Sequence, residues 1–212
     1  MVRCSRFGWT APTAAPATTA ELVNLYFTSI GRNSAMDIGI APDPRGLMSD
    51  KDVAALTGFG ERIGAIFSNN LADSASVSAS NTRGGDPAFA AANVRDGWSS
   101  GRYWATDDAV LTPELIMDLG KPTTFSIVSL REHIALGERV DEWALDAWSN
   151  HGWRTFAQGT GTGIRRLWRG EPITAGKIRL RISQSAACPA IAAVAVYLEP
   201  VAIRKECGVK TH

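Results

Sequence analysis

Two pairs of adjacent carboxylates first suggest catalysis in the second half of the chain, Asp107–Asp108 and Asp141–Glu142. Acid–base catalysis on one substrate bond needs two carboxyl groups that face each other across that bond, about 5 Å apart or more. Neighbouring residues of a strand point to opposite faces, so neither pair converges on one substrate. The sequence therefore favours structural or solvated roles for these pairs and assigns no catalytic residue.

Tryptophan is the second residue type whose distribution suggests a site, because an indole ring can stack on a sugar ring or fill a core. Six of the seven tryptophans lie within residues 98–168. A sandwich core is the stronger interpretation for four of them, which lie in predicted strands or at strand ends: Trp104, Trp143, Trp148 and Trp153. Trp98 shares a loop with Arg102 and has no strand to pack in, so both are candidates for contact with a sugar. Trp168 is a further candidate, with cation–π stacking against neighbouring arginines (165, 166 and 169) as the alternative.

His133 is the best placed of the three histidines, because it follows a predicted strand that ends near Arg131. A loop imidazole can donate to sugar hydroxyls, or it can serve the structure by pairing with the adjacent Glu132. The second role is favoured, and His133 is kept as a candidate for sugar contact.

Charge and composition exclude several classes of protein. The chain has 22 Lys and Arg against 21 Asp and Glu, a net charge of +1, which argues against a dedicated binder of nucleic acid or of an anionic membrane. The three cysteines are far apart and lack a C-x-x-C spacing, so neither a disulfide framework nor a zinc site is expected. The N-terminus lacks the apolar region of a signal peptide, and the longest apolar run, 190–198, is too short to span a bilayer.

The elements that must position these side chains change period along the chain. Residues 20–70 predict two helices around a short strand candidate near residues 36–41, with Ser49 as the N-cap of the second helix. From about Ser80 the period becomes two, and turn residues separate short strands at a spacing typical of an antiparallel sandwich or jelly roll. Apolar and charged residues alternate most clearly in residues 177–182. The segment 71–81, between the helical part and the strands, is rich in Ser, Ala and Asn and is predicted to be a linker.

A series of short motifs in the second half resembles the discoidin, or factor 5/8 type C, domain, namely 93–97, 103–106 and 115–119. With residues 83–89, 132–140 and 187–189, the series looks like the C-terminal discoidin-like domain of family 29 glycoside hydrolases, the α-L-fucosidases. Residues 21–33 and 42–47 resemble the end of the catalytic barrel of the same enzymes. The resemblance covers about residues 21–200.

The resemblance implies an activity whose catalytic residues are not in this chain. Members of the family remove terminal α-L-fucose from glycans with retention, using an Asp or Glu nucleophile and a second carboxyl as acid/base. In the family the nucleophile lies on a barrel strand before the part matched here, and no residue of this chain corresponds to it. The matched barrel strand also departs from the family pattern at Asp37, Gly39 and Ala41. A carboxylate at an apolar core position argues against an intact barrel.

The resemblance also implies one candidate ligand for a structural calcium ion. Asp96 occupies the position that often contributes to such a site in these jelly rolls, but Ala193 stands where a second acidic ligand is expected. The favoured alternative makes Asp96 a turn-former before Gly97. No other cofactor is expected.

The combined prediction is a mainly β chain: an antiparallel jelly-roll β-sandwich, discoidin-like and galactose-binding-like, preceded by a small αβα remnant of a TIM-barrel C-terminus. The predicted ranges are 1–19 unstructured or unrelated, 20–70 remnant, 71–81 linker, 82–200 sandwich and 201–212 tail. The favoured function is a carbohydrate-binding or accessory module derived from an α-L-fucosidase, with a glycan as partner, fucosylated glycans first among candidates, and neither nucleic acid nor membrane. The alternatives are a structural sandwich without ligand, and an active fucosidase formed with a separately encoded barrel. The family usually works in secreted, periplasmic or lysosomal locations, and this sequence does not fix the compartment.

Overall fold

The computed structural model describes residues 2–3, 17–149 and 152–208, with the side chains of residues 2, 3 and 98 left out of the description. The chain divides into two compact units. The first combines Met1–Ser68 with Glu199–His212, and the second is the continuous segment Asn69–Leu198. Each unit is described by itself below.

The first unit is a small helical assembly. Its elements are, in chain order, β1 (Val2–Arg3), α1 (Thr19–Thr28), β2 (Ile38–Gly39), α2 (Asp50–Ile66) and α3 (Val201–Glu206). The order α1, β2, α2 is the αβα arrangement expected from the sequence. Residues 1–19 were expected to be unstructured or unrelated to the family. Strand β1 pairs in parallel with β2, so residues 2–3 are not unstructured. Residues 4–16 lie outside the described residues.

Local side-chain chemistry explains where the two longer helices begin. Thr18 caps α1 in a capping box with Glu21, in which each side chain bonds the backbone N–H of the other residue. Ser49 caps α2 by accepting a hydrogen bond from Asp52 N at 3.2 Å, as its sequence position predicts. Among the described residues, no helix is both long and apolar enough to cross a membrane.

Residues 201–212 were predicted as a tail, but most of the described part forms helix α3 within the first unit. Asn24 on α1 donates its side-chain N–H to the carbonyl of Cys207 at 2.9 Å. Arg62 on α2 pairs with Glu206 at 3.1 Å. These contacts between distant parts of the chain hold α3 against α1 and α2.

The second unit is a β-sandwich, and the expectation of a mainly β antiparallel fold is confirmed. Its strands are β3 (Ser76–Ala79), β4 (Trp104–Ala105), β5 (Glu114–Glu132), β6 (Val140–Ser149), β7 (Gly152–Thr160), β8 (Arg166–Ser185) and β9 (Ala190–Tyr197). They are hydrogen-bonded in the order β4-β9-β5-β8-β6-β7, with β3 also paired to β5. All of these pairings are antiparallel.

Two long strands, β5 and β8, pass through both layers of the sandwich. The first part of β5 pairs with β3, and its later part pairs with β9. The pairing of β5 with β8 shifts register between Asp118 and Thr123 and again between Phe125 and Ile127. Such irregularities bend strands, so one hydrogen-bonded sheet can fold over its own core.

The core fills the space between these layers with residues from nearly every strand. Its largest fully buried side chains include Trp104, Phe125, Leu115, Met117, Leu145, Ile178 and Ile191. The alternation predicted for residues 177–182 is confirmed, because Ile178, Leu180 and Ile182 are buried. Their neighbours Lys177, Arg179 and Arg181 therefore lie on the opposite face of the sheet.

The segment predicted as a linker, 71–81, belongs to the sandwich. It contains β3, which pairs with β5 from Ser76↔Asp118 to Ala79↔Leu115. Ala72 and Ala75, just before β3, are also buried in the core. The segment was misassigned because Ser and Ala are common in loops, whereas here a short edge strand gains its stability from tertiary pairing.

Candidate functional site

Three of the candidate site residues, Asp96, Arg102 and His133, lie in loops near strands β4 and β5. Together with Phe89 and Tyr103 we call them the loop cluster, which holds two sets of contacts: the rings of Phe89, Tyr103 and His133, and the ion pair of Asp96 with Arg102. The ring of His133 stacks on Tyr103 with centroids 4.2 Å apart and planes 15° apart. Phe89 contacts the same tyrosine at 5.5 Å. The stack thus joins two loops that are about thirty residues apart in sequence. The three aromatic rings in these loops are half-buried.

The predicted pairing of His133 with Glu132 is wrong. The carboxylate of Glu132 is buried and accepts hydrogen bonds from the backbone N–H groups of Arg139, Val140 and Gly163. It also accepts a hydrogen bond from the hydroxyl of Thr162. Glu132 therefore ties three chain segments together, because a buried carboxylate must find donors. The neighbouring imidazole points elsewhere and stacks on Tyr103.

Asp96 and Arg102 form an ion pair across the loop that contains Trp98. The Asp96 carboxylate accepts a hydrogen bond from Arg102 Nη1 at 2.9 Å, and both side chains are substantially exposed. The described residues contain no cluster of three or more Asp, Glu, His or Cys side chains suited to a metal ion. A guanidinium repels a cation at this position, so these residues do not fit calcium, which remains only an implication of the resemblance.

The two tryptophans that are candidates for ligand contact, Trp98 and Trp168, differ in how much of them the structure describes. The backbone of Trp98 lies in a short 3₁₀ helix, Trp98–Ser100, but its side chain lies outside the described part of the chain. Trp168 is half-buried and packs its ring against Phe156 and Phe125, at 4.7 and 6.4 Å. One of the neighbouring arginines, Arg166, lies over the ring of Trp143 at 5.9 Å. The structure therefore favours core packing for Trp168.

The adjacent acids near β4 have structural partners. Asp107 accepts hydrogen bonds from Asn81 Nδ2 and Gly84 N, and these contacts lower its pKa below the ordinary value for Asp. Asp108 accepts a hydrogen bond from Arg83 at 2.7 Å, and this bond is the main cause that lowers the pKa of Asp108. Carboxylates held ionised in this way are poor proton donors near neutral pH. Asp141 and Glu142 are exposed at the start of β6.

A groove of about 340 Å³ lies on the outer face of the sheet formed by β3, β5, β8, β6 and β7. We call it the sheet-face groove, and it is lined by Ser76, Ser78, Ile116, Asp118, Trp148, Trp153 and Lys177. Strand register places five of these residues in one row across the strands. Ser76 pairs with Asp118, Asp118 with Lys177, and Trp148 with Trp153, while Ala147 pairs with Ile178 and so places Trp148 beside Lys177.

The sheet-face groove combines an aromatic end with a polar end. Trp148 is 43% exposed and meets Trp153 edge to face at 5.2 Å. Lys177 Nζ bonds Asp118 Oδ2 at 2.9 Å, and that bond is the main cause that lowers the pKa of Asp118. An aromatic platform beside paired donors and acceptors is an arrangement that can bind a hydroxyl-rich ligand.

The prediction that Trp148 and Trp153 fill the core is wrong, while the same prediction for Trp104 and Trp143 is confirmed. Trp143 and Trp148 are five residues apart on one strand, so they face opposite sides of the sheet. Since Trp143 is buried, strand parity alone places Trp148 on the outer face. This parity was present in the sequence and would have placed Trp148 outside the core.

The sequence has relatives among α-L-fucosidases. It is 31% identical over 190 residues to a putative alpha-L-fucosidase 1 of Oryza sativa subsp. japonica, and the match covers 89% of this chain and 37% of the relative. No protein-family model matches the sequence.

Solved structures agree with this relationship. A GH29 fucosidase of Ruminococcus gnavus, solved in complex with fucose, has a TM-score of 0.84 and 30% identity, covering 95% of this chain and 41% of that one. A putative alpha-L-fucosidase of Bacteroides thetaiotaomicron has a TM-score of 0.88 and 28% identity, covering 94% of this chain and 44% of that one. The chain thus spans about two fifths of the length of the proteins it matches. Over most of its length this chain is similar to the C-terminal part of GH29 α-L-fucosidases.

Proposed function

We propose that this chain is the non-catalytic C-terminal part of an α-L-fucosidase and that its sandwich is an accessory module that binds fucosylated glycans. The observation that carries the proposal is the similarity to the C-terminal part of GH29 fucosidases over nearly the whole chain. The neighbour from Ruminococcus gnavus was solved with fucose, which makes fucosylated glycans the first ligands to test.

The loop cluster supports a binding role over a catalytic one. It contains the stacked rings of Tyr103 and His133, and the exposed guanidinium of Arg102, the next residue in sequence, which pairs with Asp96. Aromatic rings stack on the apolar face of a sugar, and guanidinium and imidazole N–H groups donate to its hydroxyls. The acids near this region, Asp107 and Asp108, are committed to structural hydrogen bonds. The cluster can therefore hold a sugar without cleaving it.

Calorimetric titration of the purified chain with 2′-fucosyllactose, and with lactose as the unfucosylated control, tests the proposal. We expect heat of binding with the fucosylated sugar and a several-fold weaker affinity after Arg102→Ala. A matched control is Arg45→Ala, because Arg45 is 65% exposed and pairs with Asp43 at 2.7 Å in the first unit. This control removes a similar exposed ion pair and leaves binding unchanged.

The outcome of the titration separates the alternatives. Absence of heat with fucosylated glycans, including branched ones, contradicts a fucose-binding role and favours a structural sandwich. Turnover of nitrophenyl α-L-fucoside by the purified chain contradicts the non-catalytic assignment. Turnover only after addition of a barrel subunit supports the two-chain enzyme.

A further inference from the structure

We propose that the sheet-face groove is a second binding site and that it takes a neutral oligosaccharide chain lying across the strands. The inference rests on the proposed function only in taking a carbohydrate as the ligand. Its residues belong to β3, β5, β8, β6 and β7, and none of them belongs to the loop cluster. The two sites can therefore be tested separately.

The aromatic end of the groove provides a stacking platform. Trp148 exposes 43% of its surface on a sheet face, and Trp153 supports it edge to face at 5.2 Å. The guanidinium of Arg179 lies over the ring of Trp153, 4.6 Å from its centroid. The exposed part of the Trp148 ring is apolar surface in contact with water. A ligand that covers the ring removes this surface from water, and that burial favours binding.

The polar end of the groove supplies hydrogen-bonding groups at fixed positions. Asp118 accepts a hydrogen bond from Gly120 N through Oδ1 and pairs with Lys177 through Oδ2, so its carboxylate is held in one orientation. The side chains of Ser76 and Ser78 are exposed, and their hydroxyls line the same groove. Each hydroxyl of a sugar can donate one hydrogen bond and accept others. Sugar hydroxyls can therefore donate to the carboxylate of Asp118, accept from the ammonium of Lys177, and do either with the serine hydroxyls.

Charge in the groove selects a neutral ligand. The lining contains one carboxylate, Asp118, and one ammonium, Lys177, which compensate each other at 2.9 Å. Binding of a polyanion such as nucleic acid depends on an excess of Lys and Arg, which the groove lacks. A protein partner would need an interface of about 800 Å² per side with an apolar centre, whereas the apolar lining here is Ile116 and the two tryptophans.

The dimensions of the groove favour a chain over a single sugar ring. Its volume of about 340 Å³ lies within the range of ligand sites. The row from Ser76 to Trp153 crosses five strands, and four spacings of about 4.8 Å give a length of roughly 19 Å. A ligand that reaches both the tryptophans and the serines must therefore contain several linked sugars.

Titration with cellohexaose, N-acetylchitohexaose and mannohexaose, together with their disaccharides, tests the inference on the full chain. We expect one hexasaccharide series to bind with an affinity that rises with length. Trp148→Ala should weaken that binding about tenfold, the effect of losing one aromatic stacking contact, and Trp148→Tyr should restore most of it. The matched control is Leu111→Ala, which truncates an apolar side chain that is 39% exposed and does not line the groove.

Each result separates the groove from the loop cluster. Binding of 2′-fucosyllactose without binding of any hexasaccharide overturns the groove site and leaves the proposed function standing. Binding of a hexasaccharide that depends on Trp148, without binding of fucosylated sugars, supports the groove site and overturns the proposed binding of fucosylated glycans. If no glycan binds, both proposals fail.

Two further measurements keep the test decisive. Circular dichroism of the Trp148→Ala variant shows whether its sandwich is intact. If that substitution disturbs the fold, Asp118→Asn provides an independent test, because it should also lower the affinity for the oligosaccharide. Sedimentation of the wild-type chain reports self-association. A dimer that Trp148→Ala dissociates would show that a second protein copy covers the groove, and would overturn the carbohydrate assignment.

Discussion

The buried carboxyl of Asp146 belongs to a structural network beside the sheet-face groove. Asp146 is 1% exposed and accepts hydrogen bonds from Arg179, Arg181 and Thr155 at 2.6–3.2 Å. Burial raises the pKa of Asp146, but the bonds from Arg181, Thr155 and Arg179 together lower it further, to about 2. These contacts lock three strands of the outer face in register, next to the row that carries Trp148.

The first prediction concerns the pH dependence that this network gives to stability. Because the folded pKa of Asp146, about 2, lies below its unfolded value of 3.8, the stabilisation is complete well above pH 3.8 and is lost as the pH falls through 2. The lost free energy of unfolding is about 2 kcal/mol. We expect wild type to lose about this much more than Asp146→Asn between pH 5 and 2, measured by urea unfolding. Parallel pH profiles of the two proteins would contradict the assignment.

The second prediction concerns Gly159, which leaves room for a buried tryptophan. A Cβ at this position would lie 2.7 Å from Cζ2 of Trp143, whose ring is held by a hydrogen bond from Nε1 to Gly161 O. Trp143 is 3% exposed and cannot swing away. Gly159→Ala should lower the free energy of unfolding by about 1–3 kcal/mol through overpacking.

Gly176→Ala is the matched control for this substitution. Gly176 also lies in a strand, and a Cβ there would meet nothing within 4 Å. Its effect on the free energy of unfolding should stay within about 0.5 kcal/mol. Equal effects of the two substitutions would show that backbone conformation, and not contact with Trp143, sets the requirement for glycine.

At the scale of elements, the sequence predicts those whose local pattern and tertiary role agree. The alternation of residues 177–182 identifies a central strand, and Ser49 identifies the start of α2, because each signal is local. Strand β3 and helix α3 were missed, since their stability comes from pairing with β5 and packing in the first unit. Local composition does not report such distant partners.

The candidate site shows the same division at finer scale. The sequence identified His133 and Arg102 as loop residues, but only the fold reveals that His133 stacks on Tyr103 and that Arg102 is paired with Asp96. The sheet-face groove was missed because its row draws on five strands whose order along the sheet differs from their order in sequence. Strand parity could have placed Trp148 outside the core, but not beside Asp118 and Lys177.

The third prediction tests the local signal at the start of α2. Ser49 accepts a hydrogen bond from Asp52 N and donates one to Asp52 Oδ2 at 2.7 Å. Ser49→Ala should cost the first unit about 1 kcal/mol of stability, measured by helical circular dichroism during urea unfolding. Ser68→Ala is the control, because its hydroxyl donates to Ala65 O just beyond the other end of the helix and caps no backbone N–H. A loss as large for Ser68→Ala would contradict the capping interpretation.

At the scale of the whole molecule, the sandwich is one continuous segment of the sequence, and the first unit is formed by the segments that precede and follow it along the chain. Residues 1–68 and 199–212 form one unit, while Asn69–Leu198 forms the other. The two ends of the sandwich segment are tied together, since Leu71 N donates to Val196 O at 2.8 Å and Val196 N donates to Asn70 Oδ1 at 2.9 Å. The chain therefore enters and leaves the sandwich at neighbouring points, an arrangement typical of an inserted domain that can fold alone.

The fourth prediction compares two boundaries for an isolated sandwich. Residues 69–198 retain the tied ends, strand β3 and the buried Ala72 and Ala75, and we expect a cooperative thermal transition with β-type circular dichroism. Residues 82–200, the range predicted from sequence, lack all of these. They also leave Arg95 without the carbonyl of Ala75, to which its Nη1 donates at 2.9 Å. Loss of the edge strand and of this half-buried hydrogen bond should lower the transition temperature by at least about 10 °C, because several kcal/mol of pairing and burial are removed. Equal transition temperatures for the two fragments would show that β3 adds nothing to the sandwich and would restore the linker assignment.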